Sequence, residues 1–226
     1  MNFLAMLKLS EIQRVAGDER LPRTGFLYFW YAGAAFTWGF DPKDRGSFRV
    51  EYVPDEVVKL KRAAVPKGHT RGSGDLRTKP YLPCVLKIAS KVTLPSQYEE
   101  KDWSPKLPAR AEKAYEALLG KLAGTELGHG RHALLGYPSV LQGPMRYECQ
   151  YVSNGVHLGG AKPPSKRVAA KLDPGVRDWV LLAQFDTDEE GPDWMWGDVG
   201  ILYFWIRRQD LEQCRFDRIW GVLQCY

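Results

Sequence analysis

The chain has 226 residues, 44% of them hydrophobic and 26% charged, with 32 Lys and Arg against 27 Asp and Glu for a formal charge of +5. That length builds a packed core without a disulfide or metal, and the balance excludes wholesale disorder. The basic excess is small and no zinc-finger, helix-turn-helix or RNA-recognition signature accompanies it, so a nucleic-acid partner is not expected.

In chain order, "NFLAMLKL" (2–9) predicts a strand and "SEIQRVAG" a short helix or turn capped by Ser10. "LPRTG" breaks the pattern before "FLYFWYA", an aromatic strand. In "SFRVEYVP", Phe48, Val50 and Tyr52 alternate with Arg49 and Glu51, the period of a half-exposed strand. The Gly-rich basic run Lys59–Lys79 reads as a solvated loop, and "YLPCVLKIASKVTLP" (81–95) as one or two strands.

Ala109–Leu122 predicts a helix. Ala111, Ala114, Tyr115, Leu118, Leu119 and Leu122 share one face, with Pro108 at its start and Gly124 past its end. "HALLGYPSVLQGP" mixes apolar and turn residues, "MRYECQYV" alternates like a strand, and "SKRVAAKL" predicts a short helix. "RDWVLLAQFDTD", "GILYFWIR" and "RIWGVLQCY" read as the last three strands, the final two joined by a turn at "RQDLEQCRF". The expected class is α+β: β-rich sheets, mixed or antiparallel, with few peripheral helices.

Leu-Tyr-Phe-Trp occurs twice, in "GFLYFWYA" (25–32) and "GILYFWIR" (200–207). Each copy comes after an apolar strand and a polar turn at nearly the same distance, and each leads to a second Phe-Asp turn. An internal duplication is the economical reading, with pseudo-repeats near 2–53 and 178–226 inside one domain spanning 1–226. Paired ligand-stacking ladders fit less well, because successive strand residues point to opposite faces.

The run "WVLLAQFDTD…WMWGDVGILYFWIRRQDLEQCRFDRIWGVLQCY" resembles the YwqG-like proteins, a bacterial family labelled domain of unknown function 1963. "FLAMLKLSEI…LPRTGFLYFWY", "WGFDPKDRGSFRVEYV" and "RHALLGYPSVLQGPM" extend the resemblance over nearly the whole length. It implies a cytoplasmic α+β protein with a duplicated β-rich core, and no established reaction. Links of some members to immunity against secreted toxins imply a protein partner. Relatives carry a Gly- and Pro-rich segment before the first strand, which this chain does not show, so a sheet edge or pocket wall is expected to be bare.

The acidic loop "FDTDEEGPDWMWGDVG" holds the first chemical candidates. Asp186, Asp188, Glu190 and Gly191 match the early positions of a calcium-binding loop, but Gly197 stands where a bidentate Glu belongs. A solvated acidic hairpin competes with calcium there, and no other cofactor is expected. Trp194 and Trp196 beside Asp198 form either a stacking platform for a sugar or cation, or core packing with Asp198 fixing a turn. His132, with Tyr137 and Gln142 in the next turn-rich segment, is the one candidate general base. No catalytic residue is assigned beyond it. Cys149 has no flank that would activate it, and Cys84, Cys149, Cys214 and Cys225 are spaced as free thiols.

No apolar stretch is long enough to cross a bilayer, and "MNFLAMLKLSEIQR" lacks the basic start of a secretory leader, so a cytoplasmic protein without a membrane partner is expected. Function is expected to be non-catalytic binding, most plausibly of another protein. The alternative is a hydrolase or small-ligand enzyme using a cleft between the acidic loop and His132–Gln142. The two differ on whether those segments meet at a concave site.

Overall fold

The computed structural model describes residues 1–54, 61, 64, 81–96, 107–124, 131–160 and 163–226. Among them, the basic run Lys59–Lys79 is represented only by Lys61 and Ala64, so the expected loop lies outside the described residues.

Two antiparallel sheets make an α+β fold. The first contains β1 (Asn2–Lys8), β2 (Phe26–Tyr31) and β3 (Phe48–Val53) in that spatial order. The second contains β4 (Ala133–Leu134), β5 (Trp179–Asp186), β6 (Ile201–Arg207) and β7 (Trp220–Gln224), also in chain order. Every described strand pair is antiparallel.

The inner faces of the two sheets pack on each other. In β2, Leu27, Phe29 and Tyr31 are fully buried, while Tyr28 and Trp30 on the opposite face are half-buried. Phe29 meets Phe185 and Phe204 edge-on at 5.2 and 5.3 Å. The strand β6 has no exposed face. Its Leu202, Phe204 and Ile206 join the core between the sheets, whereas Ile201, Tyr203 and Trp205 pack with Met145, Cys149 and Val152 of the helix α3 (Arg146–Ser153) and the residue before it. A strand covered on both sides reads as a continuous apolar run, which is why "ILYFWI" shows no alternation.

The repeated tetrapeptide occupies equivalent places. Ala5 lies opposite Phe29 and Ala183 opposite Phe204, with Phe3 opposite Trp30 and Leu181 opposite Trp205. Each pairing carries a register shift at the same point, between Phe3 and Ala5 and between Leu181 and Ala183. Val50 then faces Phe29 from β3, and Gly221 faces Phe204 from β7. Gly221 makes room for a ring: a Cβ there would overlap Phe48 of the other sheet.

Three expectations change. Residues 146–153 form α3 and not a strand. The apparent alternation is that of a helix buried nearly all round, several of whose polar side chains find partners. Arg146 Nε donates to the Trp179 carbonyl (2.9 Å), Gln150 Nε2 to the Leu172 carbonyl (3.1 Å), and Tyr151 Oη to Asp173 (2.6 Å). Ser10 does not cap α1 (Leu9–Ala16); Lys8 is the N-cap, and Gly17 closes the helix with φ 61°. Residues 81–96 hold no strand, and Leu82, Val85, Leu86 and Val92 are exposed.

The predicted central helix is α2 (Ala109–Gly124), with Leu118 on its apolar face 44% exposed. The helix α4 (Lys166–Leu172) is capped by Ser165, whose hydroxyl accepts from the Val168 amide (3.4 Å). The turn after β6 contains α5 (Arg208–Glu212).

Candidate functional site

The acidic loop leaves β5 at Asp186 and returns at Gly200, and the segment 131–143 lies beside it. Asp186 is the hinge between them. One of its oxygens accepts from the backbone N–H (2.8 Å) and Nε (2.9 Å) of Arg131, the other from Arg131 Nη2 (3.1 Å) and the Thr187 amide (3.0 Å). Burial works against the Arg131 charge, but the bonds to Asp186 and Tyr226 outweigh it and hold its pKa above the ordinary arginine value. The Asp186 carboxylate is therefore already neutralised.

His132 sits beside the same strand end with both ring nitrogens engaged. The Asp186 amide donates to Nδ1 (3.1 Å), which places the neutral ring's proton on Nε2, facing Asp188 Oδ2 at 3.3 Å. Asp188 Oδ1 accepts in turn from the Gly191 amide (2.7 Å), and reciprocal backbone bonds join Asp188 to Trp194 (3.0 Å each). The first acid–base candidate is thus a positioning group that ties a tight hairpin to 131–143. No lone pair on the imidazole is left to accept a substrate proton.

The structure brings Asp186 and Asp188 to His132. Among the described residues, no three His, Cys, Asp or Glu side chains are placed to hold a metal, and Glu190 is exposed. Trp194 and Trp196 are not a surface platform either. They are 6% and 2% exposed, and both indole N–H groups donate to the Asp186 carbonyl, at 2.7 and 3.2 Å. Asp198 is exposed, and its carbonyl accepts from the Tyr226 amide (3.0 Å).

Tyr137 and Gln142 are tied through the backbone of their own segment. The Tyr137 amide donates to Thr93 Oγ1 (3.0 Å), and the Gln142 amide to Gln224 Oε1 (3.1 Å), with Gln142 itself exposed. Of the thiols, Cys149 is fully buried in α3. Cys84 is raised in pKa by burial and by the nearby Asp188, which disfavours a nucleophilic thiolate.

A cavity of about 310 Å³ opens next to this hairpin, lined by Tyr31, Gly33, Phe36, Tyr81, Met195, Trp196 and Gly197. Three segments converge on it: the end of β2 with the loop after it, Tyr81, and the acidic loop. Tyr31 and Tyr81 stand nearly perpendicular to Trp196, at 88° and 85° and ring centroids 5.7 Å apart. Backbone strain occurs at one wall residue and at two further positions of the acidic loop. Phe36 has φ 49°, and Asp193 and Val199 in the acidic loop have φ 58° and 46°, in a region L-residues rarely visit.

Sequence reasoning reached Trp196 but not Tyr31, Phe36 or Tyr81, because nothing in local pattern says that distant aromatic residues share a cavity. It also passed over two glutamines. Gln184 of β5 accepts from the Ser139 amide (2.9 Å) and donates to the Arg131 carbonyl. Gln224 of β7 accepts from the Leu141 and Gln142 amides (3.2 and 3.1 Å) and donates to the Gly143 carbonyl (2.9 Å). Both are buried, and a Gln inside an apolar strand was the signal available.

Among the described residues, no helix is long and apolar enough to cross a membrane. A family model described as "Domain of unknown function (DUF1963)" matches residues 1–225. No curated protein matches the chain.

Proposed function

The chain belongs to the DUF1963 family, and from that premise we propose that it is a binding protein without catalysis, whose recognition site is the aromatic cavity beside the acidic hairpin. The observation that carries this reading is the cavity itself. It has the size of a small-ligand site and aromatic, apolar walls, and its described lining residues include neither an acid–base pair nor an activated nucleophile. The hydrolase alternative is weakened where it is most specific, because His132 spends both nitrogens on structure.

The partner we favour is another protein. Tyr81 lines the cavity, and the residues after it run beside the acidic loop, the Leu82 amide donating to the Pro192 carbonyl (2.8 Å), with Leu82, Val85 and Leu86 exposed as an apolar surface that a polypeptide would cover. An immunity-type role fits within this reading and rests on the family resemblance alone. Gentle co-purification from the native cell with wild-type, Tyr81→Ala and His132→Ala chains tests it. Capture of a partner by wild type, its loss in Tyr81→Ala and its retention in folded His132→Ala are expected. Turnover of a small-molecule substrate that disappears in His132→Ala would overturn the proposal.

A further inference from the structure

We propose that the cavity receives an alkylated ammonium group; this rests on the binding reading above and names the chemistry of what binds. Two observations carry it. The first is shape. Tyr81 stands at 85° to Trp196, and Phe36 and Met195 complete the accessible walls over a floor of Trp196 and the fully buried Tyr31. With Trp196 and Tyr31 almost wholly buried, the rings open to a ligand are Tyr81 and Phe36, and a rounded tetrahedral cation can touch both together with Met195. Aromatic faces present negative potential to such a group, and partial desolvation in a cavity strengthens the attraction.

The second is charge. The loop that supplies Met195, Trp196 and Gly197 carries Asp186, Asp188, Glu189, Glu190, Asp193 and Asp198 and no Lys or Arg, inside a chain whose net charge is positive. Arg131 neutralises Asp186 and His132 faces Asp188, while Glu189 and Asp198 are exposed, Asp198 next in the chain to the cavity wall. Asp198 at the edge, backed by the acidic loop, favours a cation there over an anion. Burial also raises the pKa of the Tyr81 phenol, so this wall stays neutral.

The test is calorimetric titration with choline and with its uncharged isostere 3,3-dimethylbutan-1-ol, which has the same shape without the charge. An N-acetyl trimethyl-lysine amide separates an ammonium carried on a polypeptide from a free one. Binding of choline or the trimethyl-lysine amide at least about tenfold tighter than the isostere is expected, with a loss of about tenfold in Tyr81→Ala and little change in Tyr81→Phe. Affinity should also weaken as salt rises, through screening of the acidic rim. Equal binding of the isostere would overturn the ammonium assignment and leave the cavity as a binding site. Cation binding unaffected by Tyr81→Ala would overturn the assignment to this cavity. Absence of binding by all three probes would overturn the ammonium assignment, while partner capture lost in Tyr81→Ala would still uphold the cavity.

Discussion

Glu148 shows how a single residue can set a pH dependence. It is buried on α3, its Oε1 lacks a hydrogen-bond partner, and burial together with the nearby Asp44 pushes its pKa from 4.5 up to about 8. The folded state therefore holds this proton over a range where the unfolded chain has released it. Stability falls as pH rises from about 4.5 to about 8 and is flat for this group beyond. Glu148→Gln removes the charge at nearly constant shape. Its stability relative to wild type is expected to improve steadily between about pH 5 and pH 8, measured by urea unfolding at each pH; an offset independent of pH would refute the mechanism. Asp186 gives the opposite case, a carboxylate already paired. Asp186→Asn should cost about 2 kcal/mol by weakening the bonds to Arg131, and millimolar calcium should leave the wild-type melting temperature unchanged. A calcium-dependent rise reversed by chelator would restore the loop as a cation site.

At the scale of elements, the segment 131–143 is held less by its own pairing than by side chains of the sheet beneath it. Its strand β4 is only Ala133–Leu134. Gln184 from β5, Tyr203 from β6 and Gln224 from β7 each bond to its backbone, Tyr203 Oη donating to the Ser139 carbonyl at 2.6 Å. Removing either glutamine leaves part-buried amides and carbonyls without these partners. Gln184→Ala and Gln224→Ala are each expected to destabilise by about 1–3 kcal/mol and to speed hydrogen exchange within 131–143. Exchange unchanged there would show that other contacts fix the segment. The same scale explains where pattern reading failed. Period two in "MRYECQYV" pointed to a strand, but burial on nearly every side erased the usual helical stripe, and only the partners of Arg146 and Gln150 reveal why polar residues sit inside. "YLPCVLKIASKVTLP" has strand composition and no strand to pair with among the described residues.

At the scale of the molecule, the two sheets share register, shift position and the placement of Leu-Tyr-Phe-Trp. Their Phe29 and Phe204 rings meet between them at 5.3 Å. Phe29→Ala and Phe204→Ala should each cost about 3–5 kcal/mol. Because the rings touch, the double variant should cost less than the sum, by about 0.5 kcal/mol or more in a denaturant double-mutant cycle. Strict additivity would argue against a shared core. The two sheets differ outside their paired strands. The outer face of the second sheet is covered by α3, and the connection from β5 to β6 forms the acidic hairpin, so the candidate site lies where the likeness ends.

The sequence by itself determined the six longer strands, the helices α2 and α4, the repeat and the family, because each is written in contiguous patterns of a few residues. It also singled out the acidic loop and His132, whose residue types are conspicuous wherever they fall. Only the tertiary structure decided what those residues do. Whether Trp194 and Trp196 face water or core, whether Asp186 is free or bound to Arg131, and whether His132 keeps a lone pair depend on which segments pack against the loop. The cavity is the plainest case. Tyr31, Tyr81 and Trp196 come together because the sheets stack, and no local pattern encodes a meeting between residues so far apart in the chain.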